Sequence, residues 1–125
     1  MNDNTPQIES PPALRQHHAL RAHLTLDDLK AGSASVLQLV DLGCYLQVAW
    51  HGACRQFKSP PKRLAPAQKV VIGLLESVER NETPALSESE WEQVRDGVVC
   101  ADGVWERLSA SNLMAGMKAM RDDLA

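Results

Sequence analysis

From Val36 to Phe57 apolar residues recur at steps of three and four, a spacing that predicts one long helix. Val36, Val40, Gly43, Leu46, Trp50, Cys54 and Phe57 form one stripe on it, and Leu37, Cys44 and Val48 form a second beside the first. A helix apolar over so much of its circumference belongs at the centre of its domain or beneath a second subunit. Gly43, Ala49 and Ala53 are small enough to admit a close neighbour. Ser59-Pro60-Pro61 ends the segment, because proline cannot continue a helix and restricts the residue before it.

Two further amphipathic patterns follow. Pro66 opens a helix on which Ala67, Val70, Val71, Leu74, Leu75 and Val78 share a face, ending near Asn81. Ser87 and Glu90 then form a capping box. Behind it Trp91, Val94, Val98, Ala101, Trp105 and Leu108 make a seam suited to shallow helix crossing. Gly97 and Gly103 interrupt that seam and mark either close contacts or a kink. Ser109 or Ser111 caps a last helix with Leu113, Met117, Met120 and Leu124 on its apolar face and Met114 beside them.

The beginning of the chain is less regular. Residues 1–12 are polar and proline-bearing and read as a disordered tail. Residues 13–23 carry enough Ala and Leu for a short helix. Thr25 reads as the N-cap of another short turn, with Asp28 near its first amides and Leu26 and Leu29 pointing inward, stopped by Gly32. Ser33 or Ser35 then starts the long helix. No strand or internal repeat is visible. The expectation is an all-α domain over residues 13–125, a bundle of about five helices, forming a homodimer because two long helices carry more apolar surface than a monomer easily covers.

Composition narrows the function classes. The 125 residues are 44% hydrophobic and 23% charged, ordinary for one globular domain. The formal net charge of −3 is uneven. Residues 1–63 hold seven Lys/Arg against five Asp/Glu, and residues 64–125 hold six against eleven. An acidic second half argues against a duplex DNA surface there. Cys44, Cys54 and Cys100 match no zinc or disulfide spacing. No signal-peptide pattern and no membrane-length apolar run is present, so a cytoplasmic protein with free thiols is expected.

Several residue groups bear on chemistry. His51 and Cys54 lie three apart on a helix, but no third metal ligand is placed by the sequence. His17, His18 and His23 read most simply as a solvated run. No glycine-rich turn activates any cysteine for nucleophilic catalysis with a histidine. Glu76, Glu79 and Glu82, then Glu88, Glu90 and Glu92, fall on polar faces and in a linker. The expectation is therefore a non-enzyme with no metal and no cofactor. Arg55, Lys58, Lys62, Arg63 and Lys69 surround the Pro-Pro loop and could touch phosphate, which makes a nucleic-acid accessory factor the alternative reading. The first reading is a regulatory binder of another protein, with Leu37, Cys44, Val48 and His51 as candidate contacts. The methionine-bearing face of the last helix (Leu113, Met117, Met120) is the second choice, since methionine adapts to varied partners.

The stretch LDDLKAGSAS at 26–35, the long apolar helix, and the later PALSESEWEQV and WERLSASNLMAGMKAM segments resemble a loose group of small helical proteins from Pseudomonas- and Burkholderia-like bacteria. Members carry a Leu-x-x-Leu-x-x-Gly turn, here Leu26, Leu29 and Gly32, then a central helix and a late helix opening on Glu and Trp. The resemblance spans roughly residues 20–120 and brings no assigned chemistry. The chain also resembles the small helical anti-activators of quorum-sensing receptors. That resemblance implies a helical dimer that binds a transcriptional regulator and blocks its dimerisation.

Overall fold

The computed structural model describes residues 11–83 and 85–124. It contains five helices: α1 (Pro11–Ala31), α2 (Val36–Gln56), α3 (Leu64–Glu79), α4 (Glu88–Arg107) and α5 (Ala110–Leu124). Helices α1 to α4 form a ring in which each packs on the next, with α2 and α4 touching across the diagonal and α5 lying on α2. The all-α expectation holds, and the helix starts and stops follow local chemistry. Ser35 and Ser87 each cap a helix through a complete capping box, with Gln38 and Glu90 returning the bond. Ser109, not Ser111, caps α5 by accepting the Asn112 N–H at 3.1 Å. Gly32 and Asn81, both at positive φ, end α1 and α3. At each, the amide of the next residue folds back onto a carbonyl of the helix's last turn, Ser33 to Asp28 and Glu82 to Ser77.

The N-terminal expectation needs correction. Residues 1–10 of the expected tail lie outside the described residues, but Pro11 and Pro12 already belong to α1. Proline is tolerated there because first-turn amides have no helical acceptor. Thr25 is not an N-cap. It lies buried in the middle of one continuous helix, and its hydroxyl donates to the Arg21 carbonyl at 3.0 Å. A hydroxyl that bonds back one turn lets threonine sit inside a helix without an unpaired polar atom.

The apolar stripes assigned to α2 are also rotated. Its buried residues are Leu39, Leu42, Tyr45, Leu46, Val48, Ala49, Gly52 and Ala53, whereas Val36, Val40 and Cys54 are exposed. A helix apolar nearly all round has no preferred face of its own, so its neighbours choose which side is covered. On α4 the predicted seam is buried from Val94 on, at Val94, Val98, Ala101, Trp105 and Leu108, while Trp91 at its start is half-buried.

Side-chain bonds to backbone carbonyls fix the α1–α2–α4 interface and the α4–α5 turn. The Trp91 indole N–H donates to the Leu26 carbonyl and that of Trp105 to the Tyr45 carbonyl, each at 3.1 Å. Buried indoles need such a partner, and a helical carbonyl has a lone pair to spare. The Arg15 guanidinium donates to the Leu108 carbonyl at 2.6 Å. Gln56, at the end of α2, grips the α4–α5 turn from both sides: its amide N–H donates to the Arg107 carbonyl and its oxygen accepts the Ser109 N–H. That grip aims α5 back along α2.

Candidate interaction surface

Helix α5 runs antiparallel to α2 and covers only its second half. Asn112 meets Gln56, Gly116 lies against the Val48 carbonyl and Gly52, and Asp123 accepts from Gln47 and pairs with His51 Nε2 at 2.9 Å. The first half of α2 extends beyond this cover. Val36, Leu37 and Val40 stay exposed there, Leu37 by 78%.

This geometry divides the predicted partner residues. Leu37 lies on the uncovered part of α2, and the half-buried Cys44 lies at its edge, between the α3 groove and the methionines of α5. Val48 is 2% exposed and Leu113 1%, so both are core residues and not contacts. The reason is α5, whose Gly116 removes a side chain and lets the two helices close over Val48. Met117 and Met120 are half-buried and pack against the core and around a small cavity with His18, Cys44 and Trp105. His51 is held by Asp123.

The uncovered strip is wider than the sequence predicts. Val40, Gly43, Cys44 and Gln47 of α2 face Gln68, Val71, Ile72 and Leu75 of α3 across a largely apolar groove of about 530 Å³. On the other flank, Arg21 of α1 pairs with Asp41, and Gln38 donates to Asp28 at 2.6 Å. Leu24 lies between Arg21 and Asp28 on α1, and Leu20 one turn earlier, both exposed. Among the described residues, six of the eight large apolar side chains left exposed, namely Leu20, Leu24, Val36, Leu37, Val40 and Ile72, belong to α1, α2 and α3 around this strip. Ile72 carried a signal in the sequence. It falls outside the apolar face of α3, so its exposure followed from the periodicity that buries Val71 and Leu74. A larger hollow of about 750 Å³ between α3 and α4 mixes Pro66, Val70 and Leu74 with Lys69, Ser77, Glu90 and Gln93 in its wall, and is more polar than the groove beside α2.

A polar cluster joins α1, α2 and α4. The Asp102 carboxylate accepts the Tyr45 hydroxyl at 2.5 Å and pairs with His23 Nε2 at 2.6 Å. Tyr45 stacks on Trp105 with ring centroids 4.8 Å apart, and His18 packs on the same indole. Burial, then the bond to Asp102 and the charges of Asp102 and Glu106, push the Tyr45 ionisation far above its usual range. Tyr45 is thus held as a neutral donor. Asp102 of α4 holds Tyr45 of α2 and His23 of α1 at once, which makes the cluster a latch between helices.

The remaining candidates are dispersed. Cys54 is exposed, while burial pushes the Cys44 and Cys100 thiols up, with Asp41 adding to the effect at Cys44. Among the described residues no group of three His, Cys, Asp or Glu side chains is placed to hold a metal ion. Lys58, Lys62, Arg63 and Lys69 are exposed, and Arg55 reaches Asn112 at 3.4 Å. The basic surface stops at Lys69, because Glu76 and Glu79 follow on the same helix. No helix of the described residues is long and apolar enough to cross a membrane. No family model matches this chain, and neither a curated protein nor a solved structure was found to match it.

Proposed function

We propose that the protein is a non-enzymatic regulator that binds one amphipathic helix of a partner protein along the uncovered strip of α2. The observation that carries this reading is the placement of α5 over the second half of α2. It leaves a channel between α1 and α3 that continues the line of α5, floored by Leu37, Val40 and Cys44. A helix laid there would extend the layer that α5 begins, with apolar anchors at steps of three and four against the floor. Exposed apolar residues gathered on one face are what such docking uses, whereas scattered ones need no explanation. A partner that normally pairs through that helix would lose its own contact. This is the anti-activator mode that the resemblance to quorum-sensing regulators implies, with a transcriptional regulator as target.

The test uses wild type and Leu37→Asp as baits in a bacterial lysate, followed by light scattering on any captured regulator. The reading requires a helical transcriptional regulator that wild type holds, that Leu37→Asp releases, and that passes from dimer to a mixed complex. Equal retention by both baits, or a captured regulator that stays dimeric, overturns it.

A further inference from the structure

Helix α3 carries its charges in an order that an isolated helix disfavours. Lys62, Arg63 and Lys69 stand at or near its start, and Glu76 and Glu79 toward its end, where the C-cap Arg80 is taken up by Glu82. The helix dipole favours the reverse arrangement. None of Lys62, Arg63, Lys69, Glu76 and Glu79 forms an ion pair among the described residues. Lys69, Ile72 and Glu76 are all exposed and follow one another at steps of three and four, so they lie along one outward line. Ile72 is 54% exposed, and beside it Gly73 has open space where a side chain would stand.

We propose that two copies of this chain associate through α3, antiparallel, about a two-fold axis passing between Ile72 and Gly73. Lys69 and Glu76 are equally distant from that midpoint, so each Lys69 faces the Glu76 of the second copy, twice over. Ile72 of each copy enters the space above Gly73 of the other. Farther out the basic end of one α3 lies along the acidic end of the other. A charge order that is unfavourable within one helix becomes complementary between two, and an isologous contact repeats every such gain. This pairing shares Lys69 and Ile72 with the far wall of the groove beside α2, but Leu37 lies on a different helix, so Leu37→Asp is expected to leave the pairing unchanged.

Sedimentation equilibrium across protein concentration at low and high salt tests it, with Glu76→Lys, Lys69→Glu and the double exchange Lys69→Glu/Glu76→Lys. Wild type is expected to be a dimer that weakens with salt. Each single variant sets like charges opposite one another twice and weakens the dimer by about tenfold or more. The double exchange restores it, which a folding defect would not. A monomeric wild type, or single variants as dimeric as wild type, would overturn the proposal. Weakened single variants that the exchange does not restore would overturn this register.

Discussion

Gly97 of α4 lies so close to Ala67 of α3 that a Cβ on it would stand 2.2 Å from the Ala67 Cβ. The two helices meet there backbone against methyl. Gly97→Ala must push α3 and α4 apart, and overpacking of this kind costs about 1–3 kcal/mol. Gly103, on the same helix, has open space where a methyl group would stand, with nothing within 4 Å. Gly103→Ala should therefore gain roughly 0.5–1 kcal/mol from helix propensity. Thermal unfolding of the two variants should move in opposite directions, and equal shifts would refute the assignment of Gly97 as the contact.

Val48 and Leu37 should respond to the same substitution in different ways. Val48→Asp places a carboxylate under α5 in the packed core, at a cost of several kcal/mol. It should lower the melting temperature sharply or prevent folding. Leu37→Asp faces water and should leave the melting temperature within the range of ordinary surface changes, about 0.5 kcal/mol. Urea unfolding followed by circular dichroism separates the two. A stable Val48→Asp would mean that α5 does not cover α2.

Tyr45 should make the protein sensitive to alkali. Its folded pKa is raised above the unfolded value of about 10. The stabilisation is therefore complete below pH about 10 and is lost as pH rises beyond it, because the unfolded chain releases a proton that the folded one keeps. Tyr45 is the sole tyrosine, so phenolate absorbance reports it alone. That absorbance should appear only with unfolding. Tyr45→Phe should cost about 1 kcal/mol near neutral pH and flatten the decline above pH about 10. A phenol that titrates normally in the folded protein would dismantle the latch to Asp102.

The three thiols should react in a set order. Cys54 is exposed and should be labelled first by a soluble thiol reagent. Cys44 and Cys100 are half-buried with raised pKa values and should follow more slowly, converging with Cys54 only in denaturant. Peptide mapping of partly labelled protein checks this. If Cys44 reacted as fast as Cys54, the groove wall at α2 would be open wider than the packing allows.

Much of the fold was legible in local chemistry. The box at Ser87, the start at Ser35 (offered beside Ser33), the stops at Gly32 and Asn81 and the seam of α4 depend on residues within one or two turns of each other, and such interactions are written along the chain. α1 was not legible as one helix. It has almost no apolar periodicity and is held by distant polar partners, such as Arg15 on the Leu108 carbonyl and His23 on Asp102. Of the candidate contacts, Leu37 and Cys44 lay on the open strip or at its edge and Val48 and Leu113 did not, although all four read alike in sequence.

By itself, then, the sequence determined that the chain is helical, where most helices begin and end, and that α2 is apolar on more sides than one neighbour can cover. The tertiary structure decided which side of α2 is covered, because that depends on the aim and depth of α5. Gln56 sets the aim by gripping the α4–α5 turn, and Gly52 and Gly116 set the depth by letting the backbones close. An apolar side chain is buried or left open according to what packs over it, and periodicity along one helix carries no information about its neighbours.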